Sequence, residues 1–211
     1  MLLYLYMDGD DAKPREDAIG KEKGYERLGK LNQVYLAIIS RYKDYIEDKE
    51  SISVAELPIL ITPKDRLVAR LADDIRNSFA QYDYESDFKE ASMRAFSFVR
   101  DKVDDVALPL QFWLSVEEVL TFMVGDTMDK NILLCSVLIS LGNPSAKVLA
   151  VVKDNAQRIL VYYELAGRLQ VFELDKGARE FGSFEELKKH ISVDDDSTAY
   201  EFNDKMYVDI S

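Results

Sequence analysis

The chain has 211 residues, 47% of them apolar, which is enough for one ordinary buried core with an appendage. Its 27 Lys and Arg stand against 39 Asp and Glu, a formal charge of −12. That balance sets the chain as a whole against nucleic-acid backbones and anionic lipid surfaces, so neither nucleic acid nor a membrane is expected as a partner. The one cysteine, Cys135, excludes an internal disulfide and gives no sign of an oxidising compartment. The apolar run Met1–Met7 is too short for a membrane span or a signal-peptide core and is followed by acids, so a cytoplasmic location is expected.

In chain order, Met1–Met7 reads as a strand or a tucked-in tail, and the charged stretch Asp8–Lys23, with Pro14, as a linker. From Gly24 the residues Tyr25, Leu28, Leu31, Tyr35, Ile38, Ile39, Tyr42 and Ile46 recur at helical spacing and predict a long amphipathic helix. Its one-sided, continuous tyrosine stripe reads as a packing face, not as a stacking platform for a ligand. Glu50–Ile61 reads as a loop. Thr62-Pro63-Lys64-Asp65 then reads as a helix start with Thr62 as cap, leading to a helix that shows Leu67, Val68, Leu71 and Ile75 to one side. A further helix is expected from about Asp87 to before Leu108-Pro109. Ser115-Val116-Glu117-Glu118 is a capping box that opens a short helix through Val119 and Phe122.

After Pro144 the period changes from helical to two. Lys147–Val152, Ile159–Leu165 and Leu169–Leu174 read as strands, the last two joined at Ala166-Gly167-Arg168, and Ser183 opens a short helix to His190. Ala199–Phe202 and Met206–Ile210 flank Asn203-Asp204 as a second hairpin. Helices first and antiparallel strands afterwards predict an α+β fold, with residues 1–60 as an N-terminal extension and 61–211 as the core domain.

Between the two halves lies Val124–Leu141, which opens on Gly125-Asp126-Thr127, runs apolar through Ile132, Leu133, Leu134, Val137, Leu138 and Ile139, and stops at Gly142-Asn143-Pro144. Those are the start, body and stop of a buried helix. Gly-Asp-x-x-Asp in its first turn resembles the nucleophile helix of the transglutaminase-like superfamily, which shares the papain-like cysteine-protease fold. The lead-in segments Ile61–Leu71, Phe98–Val103 and Phe112–Leu120 resemble archaeal transglutaminase-like proteins. The resemblance implies a nucleophile-type helix packed on an antiparallel sheet that delivers a base and its orienting acid. It places Thr127 at the nucleophile position, where the family has Cys. Leu160 falls at the base position, where the family has His, and Asp175 at the acid position, in Phe172-Glu173-Leu174-Asp175. Trp113 and Tyr162 are the residues expected to line the groove.

Two of those three positions cannot do the family's chemistry. A threonine hydroxyl is hardly ionised at neutral pH without a base beside it, and leucine accepts no proton. Cys135 lies eight residues past Thr127, ~12 Å along a helix axis and out of reach of the same substrate atom. His190, after Lys188 and Lys189, reads as a favourable cation at a helix C-terminus. Asp126 and Thr127 both read as caps, and Asp129 as a charge welcome in the first turn. The acidic clusters Asp8–Asp11 and Asp194–Asp196 lack the spacing of a calcium loop. No metal site and no cofactor are expected. Two functional classes stay open: a non-catalytic binding or structural relative that holds a peptide, a protein partner or nothing specific, which is preferred, and an acyl-transfer enzyme with an unconventional nucleophile or base.

Overall fold

The computed structural model describes residues 13–50, 53–107, 112–154, 156–193 and 196–210, with the helix course alone described over 13–27 and 49–50. The expectations for Met1–Met7, the Asp8–Asp11 cluster and Asp194-Asp195 lie outside the described residues. The chain divides into two compact units, Met1–Lys49 and Glu50–Ser211.

The first unit is the helix α1, Lys13–Glu50, 38 residues long. Lys13–Lys23 is therefore helical and not a linker: its Lys, Arg, Glu and Ala residues are good helix formers, and Pro14 lies in the first turn, where a missing N–H costs nothing.

The second unit opens with a 3-10 helix over Val54–Leu60, where a loop was expected. Ser53 donates from both its backbone N–H (2.8 Å) and its hydroxyl (2.6 Å) to the Glu56 carboxylate, a capping arrangement on a very short element. The helix α2 spans Arg66–Asn77 and is capped by Asp65, whose carboxylate accepts from the Leu67 and Val68 amides. Thr62-Pro63-Lys64 is a turn ahead of it, not the cap. The helix α3, Tyr84–Lys102, starts three residues earlier than expected because Asp83 caps it through the Ser86 amide. The two-residue strands β1, Asp104–Asp105, and β2, Val124–Gly125, pair in parallel and bracket the helix α4, Val116–Phe122, with its Ser115–Glu118 capping box. The helix α5, Thr127–Ser140, is buried continuously from Met128 to Leu138.

The sheet follows: β3 Lys147–Lys153, β4 Ala156–Leu165, β5 Arg168–Glu173 and β6 Gly177–Phe181, then the helix α6, Phe184–Ile191, then β7 Thr198–Phe202 and β8 Tyr207–Asp209. Its six strands run β6-β5-β4-β3-β7-β8, all neighbours antiparallel. Ala166 and Gly167 both have positive φ, 51° and 74°, the two-residue hairpin turn whose twist matches the flanking strands.

Both faces of this sheet are covered, by different helices. Val148, Ala150, Ile159, Val161, Tyr163, Phe172 and Phe202 join the core formed with α2, α3, α4 and α5. Leu149, Val151, Leu160, Tyr162, Leu169 and Val171 face the other way and pack with Leu187 and Ile191 of α6. The protein is an α+β protein with its most deeply buried helix between a helical layer and an antiparallel sheet. Among the described residues no helix is long and apolar enough to cross a membrane.

Candidate functional site

An open cleft of about 470 Å³ lies where the start of α5 meets the start of β4 and the turn after β5. That volume suits a small ligand or a few residues of an extended peptide. Thr127 and Lys130 line it from α5, Gln157, Arg158 and Ile159 from β4, and Leu174, Asp175 and Lys176 from the β5–β6 turn, with Arg100 and Asp105 at its edge.

The first turn of α5 is held from two sides. Asp126 is the N-cap, its carboxylate accepting from the Asp129 amide at 2.8 Å, and Asp129 answers by accepting from the Asp126 amide at 3.1 Å. The other Asp129 oxygen accepts from the Leu114 amide at 3.2 Å, which ties the lead-in to α4 onto α5. Thr127 is thus the first helical residue and not a cap, and its carbonyl accepts from the Asn131 side chain. Gly125 closes this arrangement sterically: a Cβ there would meet the Asp129 Cβ at 3.1 Å and Val119 methyls at 3.6 Å. The Gly-Asp-x-x-Asp signature is therefore a packing requirement of the turn as well as a capping one.

Asp129 is fully buried, so the expectation of a simply favourable first-turn charge needs correcting. Burial, with Asp126 beside it, pushes its carboxyl up to about 7, against the lowering effect of the two backbone amides. Lys130 is also buried, an unexpected lysine at the cleft wall, and its ammonium donates to the exposed Asp105 carboxylate at 3.0 Å.

Of the three positions that the resemblance implies, two line this cleft and one does not. Thr127 and Asp175 line the same cleft, Asp175 as an exposed rim residue with Lys176 at 3.9 Å. Leu160 lies on the opposite face of the sheet, 1% exposed and packed with the α6 residues; the residue of β4 that faces the cleft is Ile159. Alternation along a strand forces this, since neighbours point to opposite faces. Tyr162 has the same parity as Leu160 and is likewise no wall of the cleft. It donates to the Glu201 carboxylate and lies near Phe184, and burial with Glu201 beside it raises its phenol. Trp113 is half-buried against the α5 core and does not line the cleft.

The residues that carry thiol and imidazole are both elsewhere. Cys135 is 0% exposed in the middle of α5, where burial drives its thiol far above the ordinary value. His190 sits at the end of α6 beside an ionic cluster built around the buried Glu173. There Glu173 accepts from Arg158 at 2.8 Å and Lys176 at 3.1 Å, while Arg158 donates to the His190 carbonyl at 3.0 Å and approaches its Nε2 at 3.0 Å. Burial pushes the Glu173 carboxyl up, but the bonds from Arg158 and Lys176 outweigh it and hold it below the usual carboxylate range. Among the described residues no group of three His, Cys, Asp or Glu is placed to hold a metal ion.

No protein-family profile matches the sequence, and no curated protein does. Among solved structures, Legionella pneumophila LapG in its calcium-bound form is similar over 82% of this chain and 87% of its own, at 12% identity and a TM-score of 0.48. The EGTA-treated form of LapG is similar over 76% and 87%, at 14% identity and 0.48. A Cytophaga hutchinsonii protein described as a candidate cysteine protease is similar over 76% and 55%, at 12% identity and 0.40. At this level of superposition the likeness defines neither the family nor the activity.

Proposed function

We propose that this chain is a non-catalytic relative of transglutaminase-like and cysteine-peptidase domains, in which the cleft at the start of α5 holds a peptide or protein segment and the acyl-transfer chemistry has been lost. One observation carries the reading: the cleft brings Thr127 and Asp175 together, but the residues around them include no thiol and no imidazole, and the chain's single Cys135 and single His190 are committed elsewhere. The sequence supports it independently, through the Gly125-Asp126 turn with Thr127 where the resembled family has its nucleophile. A hydroxyl in that place needs a base to ionise it, and neither Ile159 nor Leu160 is one. A cytoplasmic location belongs to the same proposal, resting on a lone, buried cysteine.

The test has two arms. A cysteine-directed substrate-mimic probe and a set of generic peptide amides should give no saturable labelling and no turnover, while an array of short peptides should give binding that weakens on Lys130→Ala. Turnover abolished by Thr127→Ala, or saturable labelling at Cys135, would overturn the proposal in favour of an enzyme with an unconventional nucleophile.

A further inference from the structure

We infer that α1 is a self-association element, which pairs in antiparallel fashion with α1 of a second copy of this chain. Leu28, Leu31, Tyr35, Ile38, Tyr42 and Tyr45 follow one another at intervals of three, four, three, four and three, the seven-residue repeat of a two-helix seam. Leu28, Leu31, Tyr35, Ile38, Tyr42 and Tyr45 are each between 43 and 66% exposed. The opposite side carries Gln33, Ser40, Lys43 and Glu47, the last two in an ion pair at 3.7 Å, with Leu36 as its one large exposed apolar side chain among the described residues. A seven-residue apolar repeat on a long helix is what a second helix packs against, and the helix gains from such a partner. Gly20, Gly24 and Gly29 lie within it at an entropic cost that intrinsic propensity does not offset, and a Cβ on Gly29 would meet nothing within 4 Å.

Three observations make the occupant a second copy. The repeat is self-complementary when reversed: about a midpoint between Leu36 and Ala37, Tyr45 falls opposite Leu28, Tyr42 opposite Leu31 and Tyr35 opposite Ile38, so each tyrosine meets an aliphatic side chain. In the parallel alignment each tyrosine would meet itself. The helix is also the part of the chain that two copies can bring together without repulsion, for Lys13–Glu50 carries nine basic and eight acidic side chains while the whole chain stands at −12. Finally the area suffices: six half-exposed side chains at roughly 100 Å² each give about 1,200 Å² for a pair, the lower edge of a stable interface.

Sedimentation equilibrium of the full chain should give a dimer at micromolar concentration. Ile38→Glu, in the central layer, should weaken it at least 100-fold, while Ser40→Glu, which adds the same charge on the outer side, should leave it intact. The thermal transition of the second unit should be unchanged in both, which separates lost association from misfolding. Mixing Tyr35→Cys and Ile38→Cys chains under mild oxidation should yield the mixed disulfide in preference to either homodimer. A monomer at all concentrations, a dimer indifferent to Ile38→Glu, or a preference for the homodisulfides would each overturn the inference.

Discussion

Asp129 gives a quantitative test of how the turn before α5 is built. Its carboxyl stands at about 7 in the folded protein against an ordinary 3.8, a difference of about three units. At about 1.4 kcal/mol per unit, folding gains at most about 4 kcal/mol from keeping this group protonated. Because the folded pKa is the raised one, that gain is complete below about pH 4, where both states hold the proton, and is lost as pH climbs toward 7. In that interval the folded state binds more protons than the unfolded state, so Asp129 makes stability fall with rising pH, by up to about 1.4 kcal/mol per pH unit. Asp129→Asn removes the titration while keeping an oxygen for the Leu114 amide. Guanidinium unfolding of both proteins between about pH 5 and pH 7 measures the difference. We expect the parent to lose stability relative to the variant across that range. Parallel curves would mean that the carboxylate is ionised throughout and that its two amide donors compensate for burial.

Further outcomes follow from the same geometry. Gly125→Ala forces a methyl into the Asp129 Cβ and should cost about 1–3 kcal/mol in a urea titration. Thr127→Cys with Ile159→His should create a thiol that alkylates rapidly near neutral pH, its pKa moved from ~8.5 toward the range of roughly 3.5–7.5 found beside an imidazolium. Thr127→Cys with Leu160→His should not, and should instead lose about 3 kcal/mol by burying an imidazole against Leu187 and Ile191. Equal reactivity of the two pairs would contradict the facing of β4. Glu173→Gln leaves Arg158 with the His190 carbonyl as its acceptor and should destabilise by about 1–3 kcal/mol at neutral pH. Since the Glu173 pKa is the lowered one, its contribution is present above about pH 4.5 and fades as pH falls below that, so parent and variant should converge in acid.

What could be read in advance was what local rules govern. The central helix announced itself by its Asp126 cap, its apolar body and the Gly142-Asn143-Pro144 stop, and the β4–β5 hairpin by Ala166-Gly167. The elements after Ser53 and Ser115 show where such rules stop: both are seven residues long, but Pro58 falls inside the first, which is a 3-10 helix, while the second is a regular α-helix. The strand β6 was missed because Gly177-Ala178-Arg179-Glu180-Phe181 is an exposed edge with little apolar alternation. The parity of β4 was not legible at all. Ile159 through Tyr163 is buried on both faces, so the sequence has no polar tick to say which residues look toward α5; the structure turns Ile159 toward it and Leu160 away. The burial of Asp129 and Lys130 is equally silent in the sequence, since a charged residue near a helix start ordinarily reads as solvated, and for Asp129 it is the close approach of Gly125 and the Leu114 amide that takes the water away.

The margins of the sheet limit how this protein meets others. One margin is β6, five residues that offer Arg179 and Glu180 to solvent, with Glu180 clamped by Lys89 and Arg168; the other is β8, only three residues long. Short, charge-studded borders of that kind deny an incoming strand a continuous ladder, which guards against the stacking that leads to fibres.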